Sequence, residues 1–239
     1  MKLMPLGDQA VLAYFTDEPA AVRFAAAVRT APPAWLHDAV PAYASVGVYF
    51  DADAVRVAEV MRYLAALPVA DTGLSLGSRH DIPVCYELGL DLAKVGDHLK
   101  LTPDEVIRRH TATSYTVYAI GFVPGFPYLG YLPAELCGVP RLANPRVRVE
   151  PGSVGLTDRQ TGIYPLARPG GWHLIGRTPL TLVDVADDYF PLRVGDVVRF
   201  ERIGEREYKT RVGERLGSPV RLSPEQACPP VATGGRRGE

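Results

Sequence analysis

At 239 residues the chain has room for one large domain or two modest ones of about 100–150 residues each. Hydrophobic residues at 47% and charged residues at 22% give the balance of a protein with a real core. A formal net charge of −1 argues against a broad electrostatic grip on nucleic acid or on an anionic membrane. No run of about 18 apolar residues suggests a transmembrane helix. The opening MKLMPLGDQAVLAYF lacks the apolar stretch and cleavage site of a signal peptide, so the expected location is the cytoplasm. Cys85, Cys137 and Cys228 are odd in number and without CxxC spacing, which suggests neither a disulfide framework nor a metal site.

In chain order, Ala10–Phe15 reads as a buried strand. Glu18 to Arg29 is Ala-rich, with Val22, Ala25, Ala26 and Val28 at helical spacing, and Pro32-Pro33 ends it. Ser45–Phe50 is strand-like and Asp53–Leu67 is a second amphipathic helix. This β-α-β-α order suggests a small α+β unit, ferredoxin-like in type, over residues 1–72. Residues 68–79, PVADTGLSLGSR, have the composition of a linker.

A second domain is expected over residues 73–222. His80–Tyr86 is a short strand. Thr102-Pro103-Asp104-Glu105 is a strong helix start: a Thr cap, Pro in the first turn and Glu three residues on. After about His110 come short β-branched or apolar runs parted by Gly and Pro: Tyr115–Ile120, Arg146–Val149, Ser153–Thr157, Gly162–Leu166, Trp172–Ile175, Leu180–Val183 and Val197–Ile203. Such spacing indicates a closed β-barrel. Residues 223–239 have the composition of a disordered tail.

No P-loop, HExxH or GxGxxG is present. What stands out is a set of Gly- and Pro-rich turns. GFVPGFPYLG carries Phe122, Pro124 and Gly125; PGSVG carries Ser153; QTGIYP carries Gln160 and Tyr164; and PGGWHLIGRTP carries Trp172, Arg177 and Thr178. These turns form either tight barrel corners or the rim of a rigid pocket, since backbone N–H groups in such loops can face an anion or a carbonyl. Arg146 and Arg177 could grip a carboxylate or phosphate, or form surface ion pairs. Gln160, Tyr164 and Ser153 could orient an amide. Phe122, Phe126, Tyr128 and Trp172 could make an aromatic wall or simply pack the barrel. His110 is a proton-transfer candidate, although a His at a helix C-terminus is also favoured by the helix dipole. His80 opens a strand and reads equally as a structural histidine.

The pieces HDIPVCY, LTPDEVIRRH, YTVYAIGFVPGFPYLG, PRLANPRVRVEPGSVG, QTGIYPL and PGGWHLIGRTPLTLVD stand in this order from His80 to Asp184. They resemble the family called KipI, PxpB (the B subunit of 5-oxoprolinase) or allophanate hydrolase subunit 1. The turns at Glu87–Leu92, Val149–Gly152 and Thr157–Arg159 depart from the family pattern. The resemblance implies a small α+β domain followed by a cyclophilin-like β-barrel. It also implies a 5-oxoprolinase complex with a carboxyltransferase-like C subunit and a LamB/YcsF-type A subunit. That assembly opens 5-oxo-L-proline to L-glutamate with hydrolysis of ATP, the cofactor the complex uses. In that reading Arg146 and Arg177 neutralise substrate charge, His110 moves a proton, and Phe122, Pro124, Gly125, Ser153, Gln160, Tyr164, Trp172 and Thr178 surround the lactam. Two alternatives come with the family: an inhibitor of a sensor histidine kinase, and a component of a urea-carboxylase or allophanate-related enzyme.

Overall fold

The computed structural model describes residues 1–69 and 77–217, together with the backbone of 220–221. The expected tail, and most of the expected linker, lie outside the described residues.

The N-terminal unit is a single four-stranded sheet with two helices on it. Its elements are β1 (Lys2–Pro5), β2 (Ala10–Tyr14), α1 (Glu18–Thr30), β3 (Leu36–Ala42), β4 (Ser45–Phe50) and α2 (Val57–Ala66). Asp17 caps α1 by accepting from the Ala20 N–H at 2.8 Å. The buried face of α1 is Ala21, Phe24, Ala25 and Val28, an i, i+3, i+4, i+7 stripe. It is turned from the sequence expectation because Phe24 is the largest apolar group available; Ala26 is exposed. That stripe and Val60 and Leu64 of α2 pack on Val11, Ala13, Val46, Val48 and Phe50 of the sheet.

The sheet order is β1-β2-β4-β3, antiparallel throughout. In a ferredoxin-like chain the edge strand beside β2 would follow the second helix. Here it comes first, as the other arm of the β1–β2 hairpin. The mixed α and β character holds, and the strand order in the chain departs from the expected one.

The larger unit is built from β5 (Ser78–Val84), α3 (Leu92–Leu99), α4 (Pro103–Thr111), β6 (Ser114–Ile120), β7 (Pro127–Gly130), β8 (Arg146–Val149), β9 (Ser153–Thr157), β10 (Gln160–Ile163), β11 (Arg168–Gly170), β12 (His173–Arg177), β13 (Val197–Arg202), α5 (Glu205–Arg211) and β14 (Val220–Arg221). The capping box at the start of α4 forms as the sequence predicts: the Glu105 N–H donates to Thr102 Oγ1 at 3.2 Å, and the Thr102 N–H to Glu105 Oε2 at 3.0 Å. Leu180–Val183 does not form a strand. Leu180, Leu182 and Val183 are buried in irregular backbone, with one bridge from Thr181 to Arg215.

The main sheet has the order β12-β9-β10-β7-β6-β13-β5-β14. β13 runs parallel to β5 and antiparallel to β6, so a late strand is laid between two earlier ones. The sheet curls into a half-barrel, and one isolated bridge spans from β12 to the chain just after β5. The Cys85 N–H donates to the Arg177 carbonyl at 2.9 Å and the Arg177 N–H to the Cys85 carbonyl at 3.0 Å. This bridge ties the end of β5 to the end of β12. Inside lie Ile82, Val84, Tyr115, Val117, Leu129, Val154, Leu156, Ile163, Val198 and Phe200. β8 and β11 make a separate two-stranded ribbon.

The two units meet at a seam of tyrosines. Tyr43, at the turn between β3 and β4, has φ +52°, a left-handed conformation unusual for a bulky residue. Its N–H donates to the Tyr118 carbonyl at 3.1 Å, its hydroxyl accepts from the Gln160 side-chain amide, and its ring leans on Tyr118 and Tyr131. Beside it the Tyr131 hydroxyl donates to Glu18, and the Arg159 guanidinium lies 4.5 Å from the Tyr131 ring centre.

Candidate ligand site

One end of the barrel carries an aromatic cavity of about 90 Å³. Its walls come from turns at the ends of strands. Phe126 and Tyr128 flank the start of β7, Tyr164 follows β10, and Trp172 precedes β12. Gly162 of β10 lies opposite Tyr128. A Cβ there would sit 2.9 Å from the Phe126 ring and 3.1 Å from Trp172, so this glycine is what lets the rings close over the strand. Phe126 stands edge-on to Tyr164 (centroids 5.2 Å apart, 78°) and to Trp172 (5.5 Å, 87°), the arrangement the ring quadrupoles favour. With Val149 and Leu174 these rings form a small core separate from the barrel interior. Gly170 and Gly171 supply a floor of bare backbone.

Phe122 stands at the mouth. It is 58% exposed and has φ +64°. The Val123 N–H closes a three-residue turn on the Gly121 carbonyl at 2.7 Å, a strained turn for any side chain larger than hydrogen. The ring meets Phe126 at 5.5 Å and Tyr164 at 6.3 Å.

Among the described residues, Arg141 is the one charged residue lining the cavity. Its side chain is exposed, and among the described residues no carboxylate lies within ion-pair distance of it. Burial raises the hydroxyl pKa of both Tyr128 and Tyr164, with the Arg141 charge acting in the opposite direction. Both phenols therefore stay protonated at neutral pH and are able to donate hydrogen bonds. The cavity thus offers flat apolar faces, neutral hydroxyls and a single cation at its rim, a set suited to a small planar acid.

Of the residues expected from sequence, Phe122, Tyr164 and Trp172 come together here, alongside Phe126 and Tyr128 of the aromatic wall. Pro124 is exposed on the turn that carries Phe122, and Gly125 packs against Val183 and Phe190; they shape the turn without lining the cavity. Ser153, Arg177 and Thr178 gather elsewhere, where the start of β9 meets the end of β12. The Arg177 Nε donates to the Pro151 carbonyl at 2.9 Å. Thr178 is buried, its Oγ1 accepting from the Leu180 N–H at 3.3 Å. Gln160 is committed to Tyr43 in the seam.

Two expected catalytic residues are structural in their contacts. Arg146 donates through Nη2 to both oxygens of the fully buried Asp91. Asp91 also accepts from the Leu174 N–H at 2.9 Å. Arg146 lies behind the cavity, on the strand paired with Gly170. Its Nη1 is buried without a hydrogen-bond partner.

His110 is wholly buried inside the barrel, stacked on Phe200 at 4.5 Å. The Tyr86 hydroxyl lies 2.7 Å from its Nδ1 and the Thr161 hydroxyl 3.0 Å from its Nε2. Thr161 gives its proton to the Gly155 carbonyl at 2.9 Å, so it must accept from Nε2–H, which leaves Nδ1 to accept from Tyr86. Burial lowers the His110 pKa to about 3. The imidazole is thus neutral, with both nitrogens engaged, and it does not line the cavity. His80 is likewise structural, its Nε2 3.2 Å from buried Asp196. Arg141 escaped the sequence reading because the segment PRLANPR gives no local sign of which arginine faces a cavity.

The chain belongs to the family described as carboxyltransferase domain, subdomain C and D, whose model matches residues 1–192. Among curated proteins it is similar to the 5-oxoprolinase B subunit of Bacillus subtilis (strain 168), at 47% identity over 131 residues, covering 54% of each chain. It is also similar to the 5-oxoprolinase B subunit of Escherichia coli O157:H7, at 52% over 123 residues, covering 50% of this chain and 56% of that one. The matches thus span about half the length of these relatives. The sequence resemblance over His80–Asp184 is borne out by these findings. Among solved structures, TTHA0988 superposes with a TM-score of 0.73 at 36% identity, over 82% of this chain and 40% of that one. The Kluyveromyces lactis urea amidolyase superposes with a TM-score of 0.70 over 90% of this chain and 16% of that one. At 16% identity the latter likeness shows a shared fold alone.

Proposed function

We propose that this chain is the B subunit of an ATP-dependent 5-oxoprolinase, converting 5-oxo-L-proline to L-glutamate together with a carboxyltransferase-like C subunit and a LamB/YcsF-type A subunit. The observation that carries the reading is the similarity, near half identity, to relatives named as the B subunit of 5-oxoprolinase. The curled sheet, joined to itself at Cys85 and Arg177, supports a cyclophilin-like barrel as the scaffold, with residues 1–72 and 73–222 as its two domains. The aromatic cavity does not suit a nucleoside triphosphate: it is about 90 Å³ with a single guanidinium at its rim, and several phosphates call for several cations or N–H donors. In this reading the chain holds the small organic acid, while ATP is bound with residues of a partner protein in the complex.

The test is reconstitution with purified A and C subunits, following 5-oxoproline-dependent ADP release and glutamate formation. The expected result is activity only when this chain is present. An A-plus-C mixture that is fully active without it rejects the reading.

A further inference from the structure

We infer that the aromatic cavity is the seat of a small, planar, ring-shaped monocarboxylate, with Arg141 taking the carboxylate, the Tyr128 and Tyr164 hydroxyls meeting a ring carbonyl, and Phe122 covering the mouth. As applied to 5-oxoproline, this rests on the function proposed above.

Three independent features point to a ligand at this place. Arg141 stands at the rim with no carboxylate partner among the described residues, whereas Arg146, on the strand just behind, is tied to Asp91 through both carboxylate oxygens. Phe122 is held exposed at φ +64°, a conformation that costs roughly 1–3 kcal/mol and persists where the surroundings impose it. The cavity is also kept open by missing side chains: a Cβ on Gly170 would fall 2.5 Å from the Tyr164 hydroxyl.

The charge inventory sets the selectivity. Among the described residues, the lining contains one cation and no carboxylate. A cyclic amide acid brings one negative charge, which Arg141 matches, and an uncharged ring nitrogen. The ring-opened amino acid brings an ammonium and a second carboxylate, for which the lining has no partners; an unpaired charge in such a site is costly to desolvate. The cavity therefore favours the closed ring over the opened product.

The test uses the reconstituted three-component complex and compares wild type with Arg141→Met. The expected result is a rise of tenfold or more in the KM for 5-oxoproline, with the KM for ATP unchanged and the far-ultraviolet circular dichroism of this chain unaltered. 2-Pyrrolidone, the same ring without the carboxylate, should inhibit weakly and equally in both complexes, and glutamate should inhibit less than 5-oxoproline binds. Arg141→Lys should recover part of the loss. An Arg141→Met complex whose KM for 5-oxoproline matches wild type overturns the assignment while leaving the proposed function standing. A wild-type complex with no 5-oxoproline-dependent ATP hydrolysis overturns that function, and this assignment with it. If the variant is misfolded by circular dichroism, Phe122→Ala on the exposed rim gives the same reading: an unchanged KM there overturns the assignment.

Discussion

Asp91 and Arg146 stand 55 residues apart in sequence, and in the fold one guanidinium nitrogen lies 2.7 Å from both oxygens of the carboxylate. Asp91 is completely buried at the N-terminal boundary of α3, where its carbonyl accepts from the Val95 N–H, and its side chain also receives the Leu174 N–H from β12. Helix, ribbon and sheet edge are thus joined at one residue. Asp91→Ala leaves a half-buried guanidinium unpaired and should cost about 3 kcal/mol of stability. Pairing it with Arg146→Met should restore much of the loss, because the stranded charge goes too. Urea unfolding of the two single variants and the double variant checks this; simple additivity would show that the two residues are not coupled.

His110 gives the fold a pH dependence. Its pKa is near 3 in the folded protein and near 6.5 when unfolded. Between these values the unfolded chain binds the extra proton, so this contribution is complete above about 6.5 and is lost as the pH falls towards 3. The slope from this one group is about 1.4 kcal/mol per pH unit. Chemical denaturation between pH 6.5 and 4.5 should show it, and His110→Leu, less stable overall, should have a shallower slope. An equal slope in both proteins would mean that His110 remains protonatable in the fold.

Gln160 is predicted to serve the seam and not the ligand. Tyr43→Phe removes the hydroxyl that Gln160 reaches and should cost about 1 kcal/mol, with Gln160→Ala similar in size. Neither should change the KM for 5-oxoproline in the reconstituted complex. A large KM effect in Gln160→Ala alone would return that residue to the binding site.

Phe122→Gly separates stability from binding. Glycine accepts φ +64° without strain, and the lost ring is mostly exposed, so the unfolding free energy should stay within about 1 kcal/mol of wild type. The KM should rise several-fold as the mouth loses its cover. An unchanged KM would count against the cavity as the seat of the ligand.

Gly170→Ala should act through Tyr164. The new methyl would occupy the place of the hydroxyl, 2.5 Å away, and drive the ring into a cavity of about 90 Å³. Binding of 5-oxoproline should be lost with little change in the circular dichroism of the barrel.

Much of this architecture is legible in the residues. The Thr102–Glu105 box specifies its own helix start, and the barrel runs of alternating or β-branched residues appear as β6, β8, β9 and β13 almost where their spacing puts them. β1 and β3 are harder to read. KLMP is short and Leu36–Ala42 contains Pro41, so their pairing is decided by the strands beside them and not by local propensity. At the site, the aromatic turns are visible because Gly and Pro punctuate them. The charged residues are not, since an arginine's role depends on which carboxylate the fold brings to it. Arg146 finds Asp91 and Arg141 finds no carboxylate among the described residues, although only four intervening residues part them in the chain. His110 looks reactive in sequence, and what the sequence does not show is that Tyr86, Thr161 and Phe200 enclose it.

The placement of β13 has a consequence for synthesis. Because Val197–Arg202 lies between β5 and β6, the first strand of the barrel waits for a partner that leaves the ribosome more than a hundred residues later. Until then β5 and β6 each present an unsatisfied edge, and the intervening chain can form its hairpins but not its ring. Closure of the curled sheet therefore waits on this late, long-range pairing, the kind of contact that forms slowly.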